Sequence, residues 1–102
     1  MRRVVVVRPE ATAEALEIGH WYEECELGLG RRFLGHVQEA VERIGESPTQ
    51  FPIYLRKHRK ARVRGFPHGV FFVDLGTDLI IVAIIHLSRD PRFIRRAIRG
   101  RG

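Results

Sequence analysis

The densest chemistry in the chain is Arg56-Lys57-His58-Arg59-Lys60-Ala61-Arg62-Val63-Arg64, which holds six positive charges, one histidine and no acid. Such a run is either a solvated loop or a contact surface for phosphates or an acidic peptide. The contact reading is preferred here. Ala61 and Val63 alternate with Arg62 and Arg64, which puts the two arginines on one face of a strand where they act together. A second candidate is His86, which interrupts an apolar run, with Arg89 three residues further on. Histidine exchanges a proton near neutral pH, and arginine grips phosphate oxygens. His86 is equally readable as a hydrogen-bonded rim histidine. Trp21 and Tyr22 are read as core or interface aromatics rather than base-stacking platforms. Glu23 and Glu24 are read as solvated. His20, Cys25 and His36 have no recognised ligand spacing, so neither metal nor cofactor is expected. No phosphate-binding Gly-rich loop, Gly-x-Ser-x-Gly or His-Glu-x-x-His occurs, which leaves most enzyme classes with local signatures unsupported.

These residues are carried by a chain of 102 residues, and the expectation is one domain spanning 1–102 with a two-layer core. The charge is unevenly divided. Residues 1–50 hold six arginines against nine glutamates, a net of −3. Residues 51–102 hold twelve basic residues against three aspartates, a net of +9. That asymmetry suits a surface that meets a polyanion or an acidic partner. The longest clean apolar run, residues 79–85, is too short to span a bilayer, so no membrane association is expected. The four valines after Arg3 are too few for a signal peptide. With the single cysteine, Cys25, they point to the cytoplasm.

The periodicity supplies the elements. Val4–Val7 is a β-branched run closed by Arg8-Pro9 and reads as a strand. Pro9 suits the first turn of a helix. Ala11, Ala15, Ile18 and Tyr22 recur at helical spacing as far as Glu24–Glu26. A second helix starts at Leu29–Arg31, with Phe33, Val37, Ala40, Val41 and Ile44 as its apolar stripe. The short link makes the two helices antiparallel neighbours. Ser47-Pro48 and Pro52 end the second helix. Strands are expected at 62–66, 70–75 and 79–87, with turns at 66–69 and Gly76-Thr77. Asp90 is placed to cap a short helix from Pro91, with Phe93, Ile94, Ala97 and Ile98 on one side and Arg92, Arg95, Arg96 and Arg99 on the other. Residues 100–102 are expected to fray. The fold class is α+β: an N-terminal strand, a helical hairpin packed on an antiparallel sheet, and a short C-terminal helix. The second face of the sheet is expected to lie open, as a place for a partner or substrate.

Three stretches resemble the RelE/ParE superfamily of toxins from bacterial toxin–antitoxin modules, also called plasmid stabilisation proteins. They are Gly28-Leu29-Gly30-Arg31-Arg32-Phe33-Leu34 continuing to Pro52, the segment from Arg62 to Phe72 with Arg64-Gly65-Phe66-Pro67, and His86-Leu87-Ser88-Arg89-Asp90-Pro91. With Arg8-Pro9-Glu10-Ala11 they cover nearly the whole chain in order. The resemblance implies the fold just described, and a growth-inhibiting toxin neutralised by a cognate antitoxin whose flexible, often acidic segment wraps it. It also implies one of two activities. One branch cleaves mRNA in the ribosome with basic residues and often a tyrosine near the C-terminus. The other, typified by ParE, inhibits DNA gyrase. Gly69 stands where many of the nucleases have an arginine, and Phe93-Ile94 where their tyrosine lies. The chain is therefore placed nearer ParE, as an inhibitor more than an enzyme, with the ribosome-dependent endoribonuclease as the alternative. Target contacts are expected from Lys57, Lys60, Arg62, Arg64 and Arg89. If the chain is a nuclease, its catalytic candidates are His58, Lys60, Arg62, Arg64, His86 and Arg89.

Overall fold

The structure, a computed structural model, describes residues 3–101. In chain order it runs β1 (Val4–Val7), α1 (Pro9–Cys25), α2 (Leu29–Glu46), a 3-10 turn (Pro48–Gln50), β2 (Ile53–Leu55), β3 (His58–Arg62), β4 (His68–Asp74), β5 (Asp78–His86) and α3 (Pro91–Arg99). The five strands form one sheet in the order β1-β5-β4-β3-β2. β1 pairs with β5 in parallel, and every other pairing is antiparallel. The α+β class, the helical hairpin and the short C-terminal helix are as the sequence implies.

The hairpin forms for local reasons. Pro9 opens α1 with Arg8 extended before it. Gly28, at φ 90°, takes the left-handed conformation that turns the chain into α2, which a side chain would strain. The Glu23 carboxylate accepts hydrogen bonds from the Gly28 N–H (2.7 Å) and the Gly30 N–H (3.0 Å). It thereby occupies donors that the start of α2 would leave unpaired. Those bonds, that to Gly28 foremost, hold the Glu23 pKa below the usual carboxylate range. The two helices touch backbone to backbone where Gly30 crosses Gly19. A Cβ at Gly30 would overlap the Gly19 carbonyl oxygen and press on Glu23. Gly30→Ala is expected to cost about 1–3 kcal/mol by forcing the helices apart. Gly35 is exposed in the middle of α2 with open space around it. Gly35→Ala should gain roughly 0.5–1 kcal/mol. Urea unfolding of the two variants checks the contrast; equal shifts would contradict the crossing.

The sheet is covered on both faces. Phe33, Val37, Ala40 and Ile44 of α2 and Ala11 and Ala15 of α1 pack on Ala61, Val70, Phe72, Leu79, Ile81 and Ile84. On the opposite face Ile94 and Ile98 of α3 pack on Phe71, Val73, Val82, Ala83 and Ile85. The expectation of an open second face is thus overturned. α3 has a sticky side only nine residues long, but it lies back across the sheet that its own linker leaves. The expected fraying from residue 100 is corrected in part. Arg101 Nη1 donates to Glu14 Oε1 (2.9 Å) and to the Val82 carbonyl (3.1 Å); Gly102 lies outside the described residues.

The strand expected at 62–66 is also displaced. β3 occupies His58–Arg62, and it gains a partner, β2, through a turn at Arg56-Lys57. Arg56 adopts φ 51° there. Three strand residues and a non-glycine left-handed turn give too little pattern to read from sequence. β5 carries an irregularity: Phe71 pairs with Ala83 and Phe72 with Ile81, so Val82 is an extra residue. Val82 and Ala83 both pack on the α3 side. Beyond the bulge the alternation is reversed, and His86 comes to the hairpin side opposite His68.

Candidate functional site

That reversal builds a cleft. His68 begins β4, His86 ends β5, and the two are direct cross-strand partners. Above them runs one face of α1, where Glu14, Glu17, Ile18, Trp21 and Tyr22 follow helical spacing. Arg89 and Phe93, from the link to α3 and its first turn, close one end. The space comprises two adjoining hollows of about 340 and 400 Å³ that share Glu17, Ile18, His68 and His86.

His68 is 4% exposed. Its ring is edge-on to Tyr22 (5.9 Å), Phe33 (5.1 Å) and His86 (5.0 Å), and its Nδ1 has no hydrogen-bond partner. Burial, with a smaller contribution from His86, lowers its pKa to about 4, so it is neutral at pH 7. His86 is half-buried and fixed by Ser88. The Ser88 N–H donates to His86 Nδ1 at 3.1 Å, and the Ser88 hydroxyl lies 2.8 Å from the same nitrogen. A backbone N–H can only donate, so Nδ1 is the unprotonated nitrogen and Nε2 carries the proton. Tyr22 meets Trp21 and Phe66 edge-on, with ring centroids 5.1 and 5.0 Å away. Burial, then the charge of Cys25, raises its pKa. The Arg89 guanidinium lies 3.7 Å over the Phe93 ring. Glu14 accepts from the Ile84 N–H (3.0 Å) and from Arg101. It thus occupies an edge donor of β5 just where β1, whose last partner is Ile81, has ended.

Of the basic and histidine candidates picked out in the sequence, His86 and Arg89 meet in this cleft, and the others are scattered. Lys60 pairs with Phe71 and Arg62 with Gly69, which places both on the α3 face. Lys60 Nζ lies 5.7 Å over the Tyr54 ring. Arg64 falls in the turn after β3 and reaches α2, 3.5 Å from Glu39. Arg62 and Arg64 therefore do not share one strand face, because β3 ends between them. His58 is buried, and neither ring nitrogen has a partner at full hydrogen-bond geometry, though the Leu55 and Ile98 carbonyls lie near it. Burial holds its pKa below the usual imidazole range, with Lys57 adding, against partial relief from the Leu55 and Ile98 carbonyls. Lys57 lies in the turn before it. Trp21, read as a core or interface aromatic, is 59% exposed at the cleft's rim. The sequence reading missed His68 and Glu17. His68 looked like part of a turn, and only the register of β4 on β5 pairs it with His86.

A helical hairpin laid across one face of a five-stranded mixed sheet, with a short helix across the other, defines the class. The sequence model of the family described as ParE toxin of type II toxin–antitoxin system, parDE, matches residues 5–91. The chain belongs to that family. Among solved structures it is similar to one titled "Chromosomal ParDE TA system from P. aeruginosa", with 16% sequence identity and a TM-score of 0.73. That likeness covers 85% of this chain and 98% of the other. No curated protein matches the sequence at a significant level. Among the described residues no helix is long and apolar enough to cross a membrane.

Proposed function

We propose that this chain is the toxin of a toxin–antitoxin pair, a one-domain protein of the cytoplasm that inhibits DNA gyrase and is neutralised by a cognate antitoxin. The dispersal of its basic side chains carries the choice of gyrase over mRNA. In-line cleavage by a ribose 2′-hydroxyl needs a base, an acid and a phosphate clamp converging on one phosphodiester. Here Lys60 and Arg62 lie on the α3 face, His86 and Arg89 in the cleft beneath α1, and His58 is buried. His86 presents a proton on Nε2 rather than a lone pair, since Ser88 occupies Nδ1. At Gly69, where many of the nucleases have an arginine, a Cβ would meet Leu87 Cδ2 at 2.8 Å and Lys60 Cγ at 3.2 Å, so a larger residue there would have to displace both of these flexible side chains.

Purified protein should reduce supercoiling by gyrase or trap cleaved DNA, and should leave mRNA on translating ribosomes uncut. Primer extension and a supercoiling assay on one preparation decide between the two. Codon-positioned cleavage with gyrase unaffected would reverse the assignment. His86→Ala separates the mechanisms further. A nuclease using that ring would lose roughly 100-fold or more in rate while still binding, whereas an inhibitor loses activity only in step with affinity. The antitoxin partner is tested with the adjacent gene product, for which nanomolar binding, about −12 kcal/mol, is expected. Absence of a complex at micromolar concentration would refute that pairing.

A further inference from the structure

We propose that the outer face of α3 is a docking strip for the phosphate backbone of duplex DNA. Arg92, Arg95, Arg96 and Arg99 recur at i, i+3, i+4 and i+7 and together line a shallow groove of about 520 Å³ that ends at Gly100. They share one face because the other is committed: Ile94 and Ile98 are buried against the sheet. The helix is therefore held in place, and the guanidinium groups ride on a rigid support rather than a loose tail. Asp90 engages Arg92 at 2.9 Å, and among the described residues no carboxylate forms an ion pair with Arg95, Arg96 or Arg99. The strip is about 10 Å long, from the 1.5 Å rise per helical residue. Lys60 and Arg62 extend the same sheet face.

The chemistry of the strip selects the occupant. An acidic protein segment bound tightly needs apolar anchors in pockets, and the groove is lined by arginines and a glycine alone. Unpaired bases need aromatic platforms, and the neighbouring Phe93 already lies beneath Arg89. What remains is a row of bidentate donors, which suits phosphate oxygens at a regular spacing. This inference goes beyond gyrase inhibition and stands without it, because it concerns the face of the sheet opposite the His68–His86 cleft.

The test is fluorescence anisotropy of the full chain with a mixed-sequence duplex of about 24 base pairs, from 50 to 200 mM KCl. Three engaged phosphates give a slope of log K against log salt of about −3. Combined Arg95→Gln, Arg96→Gln and Arg99→Gln should weaken binding at least about tenfold at 50 mM salt and flatten the slope by about 2 to 3. The same three positions changed to lysine should keep most of the slope, which a folding defect would not. Arg31→Gln with Arg32→Gln, on α2, should leave both unchanged. An unaltered slope in the glutamine variant overturns the proposal. So does tighter binding of the unaltered chain to the single strand, or a glutamine variant that loses binding to a polyglutamate peptide while its duplex binding persists.

Discussion

Replacing Phe33 with alanine is expected to remove roughly 3–5 kcal/mol of stability. Phe33 is fully buried where α2 meets the sheet. Its ring lies 5.4 Å from Tyr22, 5.1 Å from Phe66 and 5.1 Å from His68. Truncation loses the transfer free energy of the ring and leaves a hole that these rigid neighbours cannot close. Domains of this size have only about 5–15 kcal/mol in total, so the variant should approach the limit of folding. Each kcal/mol lowers Tm by roughly 4–8 °C at this length. Urea unfolding at pH 7.5 measures the loss. A change under about 1 kcal/mol would mean that the helical hairpin does not pack on the sheet through this residue. Phe33→Leu should cost much less, because most of the volume stays filled.

The features that sequence makes legible are those with a long or one-sided period. The stripe of Phe33, Val37, Ala40 and Ile44 is buried as its spacing implies. Asp90 accepts the Arg92 N–H at 2.8 Å, as a helix cap should. β2 was invisible because three residues hold no period. The cover on the second sheet face is hidden from the sequence for a different reason. The apolar side of α3 was evident, but nothing local says which surface it will cover. The site was least legible of all. Counting on from the reversal at Gly76-Thr77, strict alternation puts His86 on the α3 side. The extra residue at Val82 brings it to the hairpin side instead. A uniformly apolar run from Leu79 to Ile85 cannot disclose that slip, since every register looks alike. The basic run failed for the converse reason: its charges are contiguous in sequence, but a turn and a strand end distribute them over different surfaces.

Acidification should destabilise the protein between pH 6.5 and 4, through His68. The ring is buried among Tyr22, Phe33 and His86, and its folded-state pKa is about 4. In the unfolded chain the pKa returns to about 6.5. Between these values the unfolded state binds the extra proton and the folded state does not, so stability falls as pH falls. The full difference is about 3 kcal/mol, and most of it is lost by pH 4.5. His58, whose pKa burial also lowers, acts in the same direction. The carboxylates of Glu23 and Asp90, held low by the Gly28 N–H and by Arg92 respectively, contribute stability above their unfolded values and lose it only in stronger acid. His68→Phe separates the contributions: it fills the site with a group that cannot titrate, and should flatten the curve of unfolding free energy between pH 6.5 and 4.5. His86→Ala should not flatten it, because the main cause at His68 is burial rather than the neighbouring ring. Denaturant titrations of the three proteins across that range, with NMR of the imidazole protons, give the answer. A His68 resonance titrating near 6.5 in the folded protein would show that water reaches the ring, and would undo the account of a sealed, neutral histidine at the floor of the cleft.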